Sequence, residues 1–291
     1  MKHAYLILAH HEFDLLQCLL TALDDERNDI YVHVDRKVRN LPDLHIGRAG
    51  LFFTEDRVDV RWGDISVVEA EYVLFEEAIK KGAYTYYHLL SGVDMPLKGQ
   101  DEIHRFFERY RGKEFIGFSQ YDYKTEVLRK VQKYHLFPRD FKKEQGRSAF
   151  AKRVLRFLWL RLQDVAGYER HRNIAFKKGT QWVSVTGDFL KHLVLMKADV
   201  LKMYNHSFCS DEIYKQTLCW NSLFRNRIYD AGDEAKSSLR KIGWQDGKLQ
   251  DWTMQDYDVL RTSDALFARK FNHKHIDVVH RLLNDLTTWK N

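Results

Sequence analysis

An acidic pair, Asp211 and Glu212, opens a short amphipathic stretch in the last third of the chain. Ser210 before the pair is a favoured helix N-cap residue, and apolar side chains follow, so the pattern predicts a helix that begins here. In its first turn, the helix dipole and the free backbone N–H groups would lower the pKa of a carboxylate and keep it ionised at neutral pH. An ionised carboxylate can act as a general base, although the pair taken alone fits an ordinary first turn at least as well.

Two further polar residues, His10 and Asp35, each follow a short apolar run near the N-terminus. Residues 4–9 are typical of a buried parallel strand, leucines recur at helical spacing over residues 13–23, and residues 30–35 predict a second strand. This order indicates a βαβ unit, whose ligands bind at the carboxyl ends of its strands. His10 and Asp35 are therefore candidate ligand contacts, and Asp35 suits a ribose or a base. The stretch lacks G-x-G-x-x-G, so the dinucleotide fingerprint is absent.

The rest of the pattern predicts an α/β protein with one domain over residues 1–291. Three prolines and no Ser/Gly-rich tract leave no visible linker. Further strands are predicted at residues 58–62, 86–90, 114–118, 179–186 and 238–244. Further helices are predicted at residues 66–81 (opened by a Ser66–Glu69 capping box), 101–111, 148–165, 188–204, 251–261 and 278–286.

The composition is that of a globular protein, with 44% hydrophobic and 14% aromatic residues among 291. The apolar run at the N-terminus is too short for a signal peptide, and no stretch of about 18 apolar residues predicts a membrane span. The three cysteines (Cys18, Cys209 and Cys219) are sparse and lack C-x-x-C spacing. They predict free thiols in a reducing cytoplasm.

The net charge of +6 is concentrated in one segment. Residues 124–178 contain 16 Lys and Arg against 5 Asp and Glu, so the rest of the chain is mildly acidic. Within this segment, residues 148–165 place Phe150, Leu158 and other apolar residues on one side of a basic helix. Such a helix could lie on an anionic membrane surface, or it could pack on the domain with its arginines in solvent. The sequence leaves both interpretations open.

Several stretches together resemble one family, the core-2/I-branching N-acetylglucosaminyltransferases and related peptide O-xylosyltransferases of glycosyltransferase family 14. The most specific strings are Ser-Gly-x-Asp-x-Pro (91–96), Gly-Thr-Gln-Trp (179–182), Asp-Glu-x-x-x-Gln-Thr (211–217) and Phe-Ala-Arg-Lys-Phe (267–271). Matching stretches run in family order over about nine-tenths of the chain, at residues 4–10, 30–37, 66–70, 88–97, 179–186, 210–222 and 266–271.

The resemblance implies a GT-A-like fold, with a Rossmann-like mixed sheet flanked by helices. The nucleotide-binding half would span about residues 1–120, and the acceptor and catalytic half about residues 121–291. It also implies inverting, metal-independent transfer of a sugar, GlcNAc in most of the family, from a UDP-sugar to a hydroxyl of a glycan acceptor, with no cofactor. The animal members carry a membrane anchor, a stem and disulfides that this sequence does not predict. The chain therefore looks like a bacterial cytosolic relative, in the cytoplasm or peripheral on the inner membrane face.

By the same resemblance, Glu212 matches the general base of the family. Arg240 and Lys270 match the basic pair that holds the diphosphate, and the match of Arg240 depends on its spacing to Trp252. With positive charge where the leaving diphosphate develops negative charge, such a pair can do what a divalent ion does in other transferases.

Binding roles follow from the resemblance for several other residues. Those matched to nucleotide contacts are His10, Asp35 and Trp62, the last in place of a tyrosine. Donor or acceptor contacts are expected at Asp94, Lys133, Trp182 and Asp211. Lys133 could contact the diphosphate instead, and Trp182 and Trp244 are candidate stacking platforms for sugar rings or ordinary core residues.

No metal site is expected. A metal-dependent transferase of nucleotide sugars would carry D-x-D near the strand at residues 86–90, where this chain has the single acid Asp94. The one literal D-x-D, Asp256-Tyr257-Asp258, falls in a stretch that resembles a helix, and we do not interpret it as a metal site.

Two other classes of function remain as alternatives. The basic segment could bind nucleic acid or another anionic polymer, although this leaves His10 and Asp35 unexplained, and we expect no nucleic-acid partner. The chain could also be a nonenzymatic nucleotide-sugar sensor, against which the presence of Glu212 argues. Within the enzyme class, UDP-xylose is the alternative donor.

Overall fold

The computed structural model describes residues 1–120, 124–141, 146–245 and 247–288. Its strands are β1 (His3–Ala9), β2 (Asn28–Val34), β3 (Gly50–Phe53), β4 (Tyr86–Ser91), β5 (Met95–Pro96), β6 (Ser184–Thr186), β7 (Arg240–Ile242), β8 (Trp244–Gln245), β9 (Lys248–Leu249) and β10 (Phe267–Arg269). Its α-helices are α1 (Phe13–Leu23), α2 (Ser66–Lys81), α3 (Gln100–Arg109), α4 (Lys124–Gln132), α5 (Arg147–Val165), α6 (Gly187–Leu195), α7 (Lys197–Tyr204), α8 (Tyr214–Trp220), α9 (Glu234–Ser238), α10 (Tyr257–Arg261) and α11 (Ile276–Thr288). Among these described residues, no helix is both long enough and apolar enough to cross a membrane.

The main sheet has the strand order β3-β2-β1-β4-β6. The first four strands are parallel and β6 is antiparallel to β4, so the sheet is mixed. The predicted βαβ unit is confirmed, because β1 and β2 pair in parallel across α1. Parallel strands covered on both faces need apolar residues on both faces, which is why β1 is an almost continuous apolar run.

A second, smaller sheet has the order β5-β10-β7 and lies beside the carboxyl end of β4. Its backbone is joined to neighbouring segments by the bonds from Leu97 N to Leu266 O (2.8 Å) and from Leu266 N to Leu239 O (3.2 Å). Strand β10 is therefore held next to the turn that leaves β4. This junction positions the basic residues at the end of β10.

Helices cover both faces of the main sheet. On one face, α1 packs with α3 and α11, and five leucines of α1 are fully buried: Leu15, Leu16, Leu19, Leu20 and Leu23. On the other face lie α2, α6 and α8. Each buried leucine stabilises the fold by about 1.5–3 kcal/mol relative to an exposed one. The predicted α/β class, with a mixed sheet flanked by helices, is confirmed and agrees with a GT-A-like arrangement.

Three of the predicted strands are wrong or too long. Residues 58–62 form an irregular segment that ends in a turn, residues 114–118 make only single bridges at Glu114 and Phe115, and the strand expected over 179–186 is confined to β6. Strand β3 was not predicted. Alternating apolar residues favour an extended backbone, but a strand also needs a neighbouring strand for its hydrogen bonds.

Helix boundaries differ as well. The helix expected at residues 188–204 is divided at Met196 into α6 and α7, and only α10 and a 3₁₀ turn form within residues 251–261. The Ser66–Glu69 capping box is absent, because the Ser66 hydroxyl accepts the backbone N–H of Arg61 instead.

Candidate active site

The carboxyl ends of β1, β2 and β4 meet at one edge of the main sheet. Asp35 donates its backbone N–H to Ala9 O at 2.9 Å, which places it directly beside His10. His10 is exposed and stacks on His11, with ring centroids 4.0 Å apart. Asp35 is buried, and its carboxylate accepts bonds from the backbone N–H and Nζ of Lys37. The structure thus brings the two predicted strand-end residues together.

Asp94 closes the turn that leaves β4. Its carboxylate is buried and accepts the backbone N–H and the hydroxyl of Ser91 at 3.0 and 2.5 Å. The Nε of Arg269 lies 3.2 Å from the same carboxylate. Asp94 therefore shapes the turn and anchors a cation, and its buried carboxylate is engaged by these two residues.

Arg269 is a candidate site residue that the sequence analysis missed. It lies at the end of β10, its side chain is partly exposed, and its guanidinium carbon stands 4.4 Å from the ring centroid of Trp182. The string Phe-Ala-Arg-Lys-Phe contains both Arg269 and Lys270, but the sequence alone did not show which of these two adjacent cations, or whether both, would lie at the site. Trp182 is only 5% exposed and stacks under this guanidinium, so it supports a cation and has little surface for a sugar ring.

Lys270 lies next to the same edge. Phe271 donates its backbone N–H to Val93 O at 3.0 Å, and His273 donates to Glu12 Oε2 at 3.1 Å. These bonds hold Lys270 between the turn at Asp94 and the residues after β1. Its Nζ is 3.3 Å from Asp251 Oδ1, and the side chain is partly exposed.

Arg240 lies in the interior, which does not fit the diphosphate contact expected from the sequence. The residue is 2% exposed, and its guanidinium donates to Ser184 Oγ and to the carbonyls of Ser238, Leu89 and Val183. Burial removes its hydration and lowers its pKa to about 9. Its spacing to Trp252 resembled that of a ligand contact, but the guanidinium instead ties β7 to β4 and β6.

Glu212 ends a 3₁₀ turn over Ser210–Glu212, and helix α8 begins only at Tyr214. The predicted helix start at Ser210 is therefore wrong, since Cys209 holds a left-handed backbone (φ 50°) and the buried Ser210 hydroxyl caps nothing. The Glu212 side chain is 39% exposed, with its Oε2 3.9 Å from Lys178 Nζ. The turn thus presents an accessible carboxylate beside a cation.

Beneath the turn lies a fully buried ion pair between Lys215 and Glu71, 2.6 Å apart. Lys215 Nζ also donates to Asp211 O at 3.0 Å, so the pair fixes the backbone just before Glu212. The carboxylate of Glu71 further accepts bonds from Gln181 and from the hydroxyl of Tyr214. Loss of hydration, together with the negative charges of Glu212 and Glu71, raises the pKa of Asp211 to about 7.

Residues 179–182 link the Glu212 turn to the cations of β10. Gly179 donates its backbone N–H to Glu212 O at 3.0 Å, and Trp182 carries Arg269 on its ring. Three residues span at most about 10 Å of extended chain. The Glu212 turn and the Arg269 guanidinium are thus connected through four consecutive residues.

Trp62 lies between the Glu212 turn and the carboxyl ends of β1 and β2. It is 54% exposed and packs edge-on against Phe208, which precedes the Glu212 turn. Its loop is tied to the segment after β2 through Asp59, whose carboxylate is 3.1 Å from Lys37 Nζ. Trp62 thus lies where a base or ribose next to Asp35 could reach it.

Two further predicted residues are Lys133 and Trp244, and the second follows Gly243, which donates its backbone N–H to Arg269 O at 3.4 Å. Lys133 donates to Tyr168 O at 2.8 Å and lies 3.2 Å from Asp164, at the end of α5, so its predicted donor or acceptor contact does not fit its position. Trp244 is exposed on the β8–β9 hairpin. The lysine that approaches the carboxylate of Glu212 is Lys178, which immediately precedes the Gly-Thr-Gln-Trp string and was not predicted.

Across the described parts of the chain, no group of three or more His, Cys, Asp or Glu side chains is arranged to hold a metal ion. The literal D-x-D has a local structural role. The Asp256 carboxylate accepts the backbone N–H and hydroxyl of Thr253 in a capping box, and Asp258 lies in the first turn of α10.

Similarity to known proteins identifies a family for this chain. The model of the family described as Core-2/I-Branching enzyme matches residues 3–269. The chain is 22% identical over 294 residues to xylosyltransferase 2 of Homo sapiens and, to the same degree, to xylosyltransferase 2 of Pan troglodytes. Each alignment covers 93% of this chain and 32% of the relative, so the chain spans about a third of the length of these relatives. The chain belongs to the Core-2/I-Branching enzyme family.

Proposed function

We propose that this protein transfers a sugar from a UDP-sugar to a hydroxyl of a glycan acceptor, with inversion at the anomeric carbon. The observation that carries the proposal is the link through residues 179–182. It connects the turn that bears Glu212 to Trp182, whose ring carries the guanidinium of Arg269. A single displacement needs a base on the acceptor side and positive charge on the diphosphate side.

In the proposed reaction, Glu212 takes the proton of the acceptor hydroxyl. The hydroxyl oxygen forms the bond to C1 of the sugar while the bond from C1 to the diphosphate oxygen breaks on the opposite face. The partly exposed side chain of Glu212 leaves room for an acceptor. Asp211, with its pKa raised to about 7, is partly protonated near neutral pH, which limits the repulsion between the two neighbouring carboxylates.

The leaving UDP would be stabilised by Arg269 and Lys270. Both lie at the carboxyl end of β10, beside the turn at Asp94. We assign the first of these roles to Arg269 instead of Arg240, because the guanidinium of Arg240 is bound within the core. Charge-assisted hydrogen bonds from a guanidinium and an ammonium can replace a divalent ion on a diphosphate. We therefore propose that transfer requires no metal.

The nucleotide would bind along the strand ends. His10 and Trp62 offer exposed rings for the base, and the carboxylate of Asp35 offers acceptors for ribose hydroxyls. The three cysteines are free thiols, which supports a reducing, cytoplasmic setting.

GlcNAc is the proposed sugar, as in the branching members that the sequence resembles. UDP-xylose is the second candidate donor, because both matched relatives are named xylosyltransferase 2. A UDP-release assay with UDP-GlcNAc, UDP-xylose and other UDP-sugars, run with and without EDTA, tests donor and metal together. Turnover of UDP-GlcNAc unchanged by EDTA is expected. Activity lost in EDTA and restored by Mn²⁺ would overturn the metal-independent mechanism, and release from no donor would overturn the enzymatic proposal.

A further inference from the structure

Helix α5 turns its apolar side away from the protein. The large apolar residues on its outer side are all at least 39% exposed: Phe150, Val154, Leu155, Phe157, Leu158, Leu162 and Val165. At 100° per residue they occupy a sector of about 160° on the helix surface. We call this set the α5 apolar stripe. A surface helix of a globular protein normally buries such a stripe against the core.

The inner side of α5 is polar and hydrogen-bonded to the domain. Lys152 Nζ lies 2.9 Å from Asp140 Oδ2, and Arg156 donates to the carbonyls of Leu136 and Phe137 at 2.9 and 3.0 Å. The side chain of Gln163 donates to the Tyr134 carbonyl and accepts its N–H. These bonds fix which side faces outward, so of the two sequence-based interpretations the packing of the apolar side against the domain is wrong.

Positive charge lies within and beside the α5 apolar stripe. Three arginines of the helix are exposed: Arg147 and Arg161 fall inside the sector of the stripe, and Arg153 falls about 40° outside it. Asp164 is the one acid in the sequence of the helix and lies 3.2 Å from Lys133. Extended apolar patches on a protein surface mark sites of interaction. An apolar stripe that includes arginines matches the acyl–headgroup boundary of an anionic bilayer, where an amphipathic helix lies in the plane of the surface and long arginine side chains extend to the headgroups.

We propose that α5 docks this protein on an anionic lipid surface, with the α5 apolar stripe inserted below the headgroups and the arginines among them. The helix has 19 residues, so it would contact the surface along about 28 Å. A second copy of the chain is a poorer occupant, because pairing two such helices would bring their arginines together without compensating acids. The proposal does not depend on the identity of donor or acceptor.

Co-sedimentation with vesicles tests the proposal. The full chain is expected to sediment with vesicles of equimolar phosphatidylcholine and phosphatidylglycerol, and much less with phosphatidylcholine alone, since each basic residue near an anionic surface strengthens binding about fivefold. Leu158→Glu combined with Leu162→Glu should weaken vesicle binding at least tenfold. The matched control is Leu195→Glu, which replaces a leucine that is 80% exposed on α6 and should bind as the wild type does.

The double leucine variant should unfold at the same thermal midpoint as the wild type, because the altered side chains face solvent. If its midpoint is lower, a second variant that combines Arg153→Gln with Arg161→Gln tests the proposal by removing positive charge, and it should also bind the anionic vesicles more weakly. Absence of wild-type binding, or equal binding to both vesicle types, overturns the proposal. A wild-type dimer in gel filtration that the double variant converts to a monomer, without any vesicle binding, assigns the stripe to a second copy instead.

Discussion

Gly179 donates its backbone N–H to the carbonyl of Glu212 while lying against Gly117 so closely that no side chain fits between them. A Cβ at position 179 would stand 1.8 Å from Gly117 O, a backbone atom that cannot swing aside. The first residue of the Gly-Thr-Gln-Trp string is therefore glycine for reasons of space, and the position of Glu212 depends on this close approach.

Gly179→Ala should displace residues 179–182 and with them the Glu212 turn. We expect a loss of about 1–3 kcal/mol in the free energy of unfolding, together with a reduced kcat. Urea unfolding and UDP release measure the two effects. Gly99→Ala is the control, because no atom lies within 4 Å of a Cβ at that position. Unchanged kcat in Gly179→Ala would show that the contact does not position Glu212.

Glu212→Gln removes the proposed base and keeps the shape of the side chain. Transfer should fall by about 10²–10⁴, as is typical for loss of a well-placed base. UDP affinity, measured by calorimetry, should stay at the wild-type value, because the proposed diphosphate contacts are on β10. Glu169→Gln, which alters an exposed acid paired with Arg172, should leave both quantities unchanged. Full activity in Glu212→Gln would remove Glu212 from the proposed role.

Lys270→Ala should weaken the binding of UDP itself. A charge-assisted hydrogen bond contributes about 1.5–3 kcal/mol, which corresponds to a loss of roughly 10- to 100-fold in affinity. The control is Lys274→Ala, an exposed lysine in the same segment, which should bind UDP normally. If Lys270→Ala binds UDP as the wild type does, the lysine serves its ion pair with Asp251 rather than the nucleotide.

Lys215→Met should lower the free energy of unfolding by about 3–5 kcal/mol, because it leaves Glu71 charged and unpaired in the interior. Adding Glu71→Gln should recover part of that loss, and urea unfolding of the two single variants and the double variant forms a double-mutant cycle. Lys197→Met breaks a partly exposed pair with Glu76 and should cost about 1 kcal/mol or less. A loss in Lys215→Met no larger than this control would contradict a buried, charged pair.

Stability should decrease as the pH falls below about 6.5. Burial lowers the pKa of five buried histidines, to about 4 for His33, His104 and His135, to about 2 for His3, and well below the usual range for His88. The unfolded chain binds protons near pH 6.5 while the folded chain does not, so each histidine destabilises the fold by about 1.4 kcal/mol per pH unit on the way down to its folded pKa.

Three acids oppose this effect. Burial raises the pKa of Glu114 to about 7, that of Asp211 is raised to about 7, and burial also raises the pKa of Glu234, so all three are protonated in the folded chain before the unfolded one. Since five groups act against three, the urea midpoint should fall between pH 7 and pH 5. His280→Gln, at an exposed position, should keep the same dependence. A midpoint that is constant or higher at pH 5 would contradict neutral buried histidines.

Local patterns in the sequence were enough for the βαβ unit. The spacing of apolar residues in β1, α1 and β2 is sufficient to predict which of their residues are buried. The positions of His10 and Asp35 at the strand ends follow from the parallel pairing of β1 and β2. Residues 58–62 show the limit, because their extended pattern has no neighbouring strand. Pairing is a property of two segments, and a single segment does not encode its partner.

The sequence by itself determined the fold class, the family and the acidic pair at 211–212, because these depend on residue types and on their order along the chain. The tertiary structure alone decided which cations are accessible and which way α5 faces. Arg240 and Arg269 are equally basic in the sequence, yet packing encloses the first and leaves the second at the site. Likewise, periodicity shows that α5 has an apolar side, while the hydrogen bonds of Arg156 and Gln163 turn that side outward. Both outcomes depend on contacts between distant segments, which local sequence does not specify.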